Sequence, residues 1–183
     1  MNKIYIPKLE ARLSTRVTPN LLCFGVDVSL HSTGLALLKT TDSYLQILYL
    51  KKIIVPKEAD VCDAFRLFIS QADDIRREIS QEYYINKTLI EDCFYGSNVK
   101  TLKALARSGI IIFDRFKDIS AKVEFITPTK ARNMVGFKKS EKDVKGVKFK
   151  KEIINYINVM LNGDITDTDL ADACVLALAG VVE

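Results

Sequence analysis

Leu21-Leu-Cys-Phe-Gly-Val-Asp-Val28 has the alternation of a buried strand, yet it carries an aspartate near its end. Leu22, Phe24, Val26 and Val28 fall on one face, and Cys23, Gly25 and Asp27 on the other, because side chains alternate along a strand. Working outward, His31-Ser-Thr-Gly34 reads as a turn, Leu35–Leu38 as a returning strand, and Tyr44–Val55 as a third strand after a break at Thr41–Ser43. Two hairpin-linked strands and one more make an antiparallel start to a sheet.

Pro56 closes that region, and the period then changes. Val61, Ala64, Phe65, Phe68, Ala72, Ile75 and Ile79 keep helical spacing. Leu89–Phe94 reads as a strand. Val99–Phe116 reads as a helix with Leu102, Leu105, Ile110 and Phe113 inward, and Val123–Ile126 as a fifth strand. Thr127-Pro128 opens a short helix, Thr as cap and Pro at the first position. Val144–Leu161 is amphipathic, with Val147, Ile153, Ile154 and Ile157 inward, and a last helix starts near Thr168. The pattern predicts one α/β domain over residues 21–183, a five-stranded mixed sheet with helices on both faces. Residues 1–20 are polar and basic without a clear period, and read as an extended or mobile arm; a mitochondrial transit peptide fits them poorly, because Glu10 is acidic and serines are few.

Composition narrows the classes. With 183 residues, 48% hydrophobic and 27% charged, the chain suits one soluble globular domain. No apolar run approaches the roughly 18 residues of a membrane-spanning helix, and the N-terminus lacks the apolar core of a secretory signal. Cys23, Cys62, Cys93 and Cys174 are scattered and there is a single histidine, His31, so reduced thiols and an intracellular location are expected rather than a zinc site. The net charge of +4 is unevenly spread: Pro128–Lys151 holds nine basic residues against two acids. Such a stretch suits a polyanion, or else a solvated helix face beside a lysine-rich loop.

Four acids stand in costly places. Asp27 and Glu91 end apolar strands, and Asp169 and Asp172 open Asp169-Leu-Ala-Asp-Ala-Cys-Val-Leu-Ala-Leu-Ala-Gly180, a helix with hardly another polar side chain. Burying an unpaired carboxylate costs several kcal/mol, on the order of the stability of a small domain. Asp169 and Asp172, three apart, share one helix face. Asp169 also complements the helix dipole, a reading that Asp172, deeper among alanines, does not share. By alternation Glu91 points inward and Asp92 outward. Carboxylates recurring in this way call for a shared cation, and oxygen-only ligation suits Mg²⁺ or Mn²⁺.

The order strand Asp, later-strand Glu, C-terminal Asp-x-x-Asp resembles the RuvC family of Holliday-junction resolvases, within the RNase H-like superfamily. Gly25-Val-Asp-Val-Ser-Leu-His-Ser-Thr-Gly34 is similar to that family's first strand and turn, with Val28 and Ser29 where the family usually has Pro and Gly. Ile90-Glu-Asp-Cys-Phe94 matches its second motif, Leu105-Ala-Arg-Ser-Gly109 the helix after it, and Asp169-Leu-Ala-Asp-Ala173 the last motif. The resemblance implies an RNase H-like fold and a homodimer that nicks four-way junctions symmetrically. It implies Asp27, Glu91, Asp169 and Asp172 as catalytic, metal-holding acids for Mg²⁺, with Mn²⁺ as substitute and two ions per site. It also implies DNA contacts from Phe94, Lys130, Arg132, Lys138, Lys139, Lys142 and Lys145. Phe94 reads equally as a core residue or as one that stacks on opened bases. The basic arm has no counterpart in typical bacterial members, and divergence elsewhere points to a phage or viral member. Rival readings are a less selective branched-DNA or flap nuclease, a non-catalytic junction-binding protein, and an actin-like ATPase, which the lack of a Gly-rich phosphate loop disfavours.

Overall fold

The meander read from residues 22–54 is realised as three antiparallel strands, β2 (Leu22–Asp27), β3 (Ser32–Thr40) and β4 (Tyr44–Ile54). The computed structural model describes residues 3–93, 99–138, 140 and 146–182. β5 (Lys87–Glu91) and β6 (Val123–Ile126) extend the sheet in parallel beside β2. At the other edge β1 (Lys3–Tyr5) pairs antiparallel with β4, giving six strands in the order β1-β4-β3-β2-β5-β6.

That sixth strand corrects the mobile arm expected for residues 1–20. Ile4 is buried in β1, and Ile6, Leu9 and Leu13 are buried along α1 (Ile6–Leu13), within the same core as the sheet. Val17 bridges to Val182, and Thr18 N–H donates to the Val181 carbonyl at 2.8 Å. The segment is an edge strand and a helix of the domain. Its apolar residues follow 6, 9, 13, a helical spacing that the interleaved lysines and arginines obscure.

Helices cover both faces, as expected. On one side α2 (Val61–Ser80), capped by Asp60, and α3 (Val99–Phe116) pack on Phe24, Val26, Leu35, Leu37 and Ile90. On the other lie α1, α4 (Pro128–Met134), α5 (Gly146–Leu161) and α6 (Thr168–Ala179), over Cys23, Ala36, Leu38 and Leu89. Thr127 caps α4 by accepting from Lys130 N–H, as its sequence predicts. Two inward faces differ from expectation. In α3, Ile112 and Phe116 are buried whereas Ile110 is 60% exposed, and in α5 Val147 is 73% exposed. The run Ile110-Ile-Ile-Phe113 is apolar all round, so its period cannot select a face. Val147 lies in the first turn of α5, ahead of the buried Ile153, Ile157, Met160 and Leu161. The four cysteines are free, and burial pushes Cys23 and Cys174 up to about 12. Among the described residues no helix is long and apolar enough to cross a membrane.

Candidate active site

β2 and β5 run parallel with Val26 opposite Ile90, so Asp27 and Glu91 end neighbouring strands at their carboxyl edges. Open α/β sheets hold ligands at this place. Both acids lie on the face that α6 covers, since alternation sets them with Cys23, Gly25 and Leu89. Asp27 is held well above the ordinary carboxylate range, first by burial, then by hydrogen bonding with Glu91, and then by the charges of Glu91, Asp172 and Asp169.

α6 brings the other two acids. Asp167 caps it, its Oδ1 accepting from the backbone N–H groups of Asp169 at 2.9 Å and Leu170 at 3.1 Å. The helix rests directly on the strands because two sheet positions lack a side chain. A Cβ at Gly25 would stand 2.1 Å from the Ala173 carbonyl oxygen, and one at Gly34 would stand 2.1 Å from that of Asp169. Real Cβ atoms do not come that near, so any larger residue would lift α6 and carry Asp169 and Asp172 away from Asp27.

Two protein cations engage the α6 acids. Lys52 Nζ lies 2.8 Å from Asp169 Oδ2 and 2.7 Å from Asp167 Oδ2. Burial alone would raise the Asp169 carboxyl, but hydrogen bonds from Lys52 and Ser32, with the lysine charge, bring it below its ordinary value. Arg132 Nη2 lies 3.0 Å from Asp172 Oδ1, and its guanidinium sits 5.0 Å over the Phe149 ring. Among the described residues, Arg132 Nε is buried without an acceptor. Glu91, Arg132 and Asp172 line one small crevice with Ala131 and Val175.

The family model described as crossover junction endodeoxyribonuclease RuvC matches residues 23–180. This chain belongs to the RuvC family. Its fold resembles Thermus thermophilus RuvC in complex with Holliday junction substrate, at TM-score 0.68 and 10% identity, covering 87% of this chain and 92% of that one. A second Thermus thermophilus RuvC structure matches at 0.63 and 11% identity, covering 89% and 99%. The yeast mitochondrial Holliday junction resolvase Ydc2 matches at 0.51 and 11% identity, covering 93% and 82%. At such identities the likeness shows the fold, the RNase H-like mixed sheet. No curated protein matches by sequence. RuvC-family membership makes the chain a crossover junction endodeoxyribonuclease with branched DNA as its substrate. RuvC acts as a dimer, and its family depends on divalent metal in general.

In this RuvC-family chain the four acids meet at one end of the sheet, although among the described residues no three of His, Cys, Asp and Glu close into a ready ligand shell. Asp169 and Asp172 are each drawn onto a protein cation instead. The donor set would still fit a hard divalent ion: it is all carboxylate, and Asp27, raised first by burial and then by its acidic neighbours, is a group that a nearby cation would relieve. Lys130 and Lys138 are exposed and Asp92 points outward, whereas Arg132 is half-buried against Asp172. Phe94, Lys139, Lys142 and Lys145 lie outside the described residues. His31 stays in its turn, its ring Nδ1 3.3 Å from the Val55 carbonyl oxygen. Sequence reasoning missed Lys52, Asp167 and Ser32. A signal existed, since a lysine inside an apolar strand needs an acid and an Asp just before a helix start is a natural cap.

Proposed function

We propose that Asp27, Glu91, Asp169 and Asp172 together hold Mg²⁺, with Mn²⁺ as substitute and two ions per site, to hydrolyse phosphodiesters at the centre of a four-way junction. The observation that carries this reading is the placement of half-buried Asp27 and Glu91 at neighbouring strand ends, with Asp27 in the field of both α6 aspartates. A divalent ion relieves that repulsion. When bound, such ions supply an activated water and stabilise the leaving oxygen of the phosphodiester. The chain's own residues set the stage for it. The strand ends fix Asp27 and Glu91, and the close seat of α6 on Gly25 and Gly34 fixes Asp169 and Asp172; Arg132 keeps, beside Asp172, a buried N–H with no acceptor among the described residues. Lys130 and Lys138, exposed on the same basic segment, suit phosphate contacts that position DNA without reading sequence. Phe94, Lys139, Lys142 and Lys145, which lie outside the described residues, are proposed as further DNA contacts on the family resemblance alone.

A junction has approximate two-fold symmetry, so a C₂ dimer sets one such site on each of two opposed strands. Paired nicks leaving 5′-phosphate and 3′-hydroxyl ends are then ready for ligation, and such a substrate places the protein's work inside the cell. Labelled four-way junctions, forks and duplexes incubated with Mg²⁺ or with EDTA test the reading. Symmetric nicking of junctions in Mg²⁺ alone is expected. Equal cutting of forks would favour a general branched-DNA nuclease, and binding without cutting would remove the catalytic assignment.

A further inference from the structure

We infer that Lys52 is a positioning residue for Asp169: it locks one carboxylate oxygen and leaves the other for a metal ion. The inference rests on the reading of Asp27, Glu91, Asp169 and Asp172 as the metal-holding acids, and it adds a residue that the four-acid pattern does not contain. Lys52 lies on β4 with its Cα opposite Gly34 of β3, and Gly34 lies directly against the Asp169 backbone. The lysine therefore reaches the first turn of α6 from the neighbouring strand. Its side chain is only 19% exposed, and its ammonium bonds Oδ2 of Asp169 and Oδ2 of Asp167 together. Asp167 meanwhile spends Oδ1 on the cap of α6. One cation thus ties the helix start, the candidate ligand and the sheet into a single arrangement.

The two oxygens of Asp169 are treated unequally. Oδ2 takes both Lys52 and the Ser32 hydroxyl. Oδ1 has the Thr168 hydroxyl at 3.4 Å, a long contact that a metal ion displaces at little cost. The rival role is that of a plain counter-charge. The two roles differ in sign. Removing a counter-charge strengthens binding of another cation, because a repulsion is lost. Removing a residue that orients a metal ligand weakens it, by about 10- to 100-fold in known sites. Two short bonds from a half-buried ammonium to two acids on one helix turn, with a hydroxyl on the same oxygen, are the geometry of orientation.

The test is Mn²⁺ binding to the full chain without DNA, followed by calorimetry, with melting curves in EDTA to check folding. Lys52→Met is expected to raise the Mn²⁺ dissociation constant about tenfold or more, and Lys52→Arg, which keeps charge and donors, to recover much of that loss. Unchanged or tighter Mn²⁺ binding by Lys52→Met would overturn the inference. If instead the wild-type chain takes up no Mn²⁺, the metal reading of the four acids is what fails. Should Lys52→Met not fold, Asp167→Asn carries the test, because asparagine still caps a helix but no longer anchors the lysine. Weaker Mn²⁺ binding by that variant is expected, and equal or tighter binding would overturn the inference.

Discussion

α2 and α6 lie on opposite faces of the same sheet and meet it in different ways. α2 touches the sheet through side chains, with Ala64, Phe68, Ala72, Ile75 and Ile79 buried at helical spacing and charged residues outside. Its neighbour α3 adds the Phe24–Phe116 stack at 4.8 Å, and Arg115 of α3 pairs with Asp73 of α2 at 2.7 Å. Apart from Thr168, Asp169 and Asp172, α6 is apolar, and it touches the sheet through its backbone, over Gly25 and Gly34. The first contact holds the domain together and follows ordinary packing rules. The second also sets the distance between two helix aspartates and two strand acids. A face built for a site is less forgiving than one built for stability.

Substitutions on the two faces should separate those roles, and the largest effect belongs to Gly25. Gly25→Val drives a side chain into the Ala173 and Ala177 backbone, so a loss of about 5 kcal/mol or more in urea unfolding is expected, near the limit for single changes. On the other face, Phe68→Ala is expected to cost about 3–5 kcal/mol while the folded fraction cuts DNA at the wild-type rate. A Gly25→Val protein as stable as wild type would break the comparison.

Asp27 sharpens it further, because its substitution should help stability and abolish cleavage. Its folded-state pKa is raised, so the native chain binds more protons than the unfolded one between the ordinary carboxylate value and the raised one. Stability from this group is present at low pH and is lost as pH rises through that window. Asp27→Asn in EDTA should therefore melt higher than wild type at neutral pH, by roughly 2–4 °C per kcal/mol recovered, with the advantage shrinking towards pH 4. Asp169 has the opposite sign: its pKa is lowered, so its contribution is present above the ordinary value and is lost on acidification. A lower neutral-pH melting temperature for Asp27→Asn would refute the crowded-acid description. The smallest effect on the fold is expected from Lys130→Glu with Lys138→Glu. Both side chains are exposed, and junction affinity should lose about two units of salt slope, one per phosphate contact.

Most of the candidate site was legible because its residues break the local pattern. A carboxylate ending an apolar strand, or repeated on an apolar helix, has to be explained by something beyond the strand or helix itself. The bounds of α3 and β6 and the start of α4 were equally plain, the last from its cap and proline. The N-terminal strand and helix were not legible, as their buried apolar residues are interleaved with four cations and the pairing partner, β4, lies about 40 residues on. The inward face of α3 was hidden by four apolar residues in succession. Lys52 and Asp167 each carry a local signal, but their pairing was hidden, because only the crossing of β4 beneath the start of α6 brings them together.

Single-turnover cleavage of a labelled four-way junction in Mg²⁺, by wild type and by Asp172→Asn, tests the central claim most directly. The amide keeps the shape of the side chain and removes the charge proposed to hold metal. Junction binding is expected to stay close to wild type while cleavage falls by about a thousandfold or more, equivalent to about 4 kcal/mol in the barrier. A mutant that binds and cuts at near the wild-type rate would contradict the assignment of the four acids.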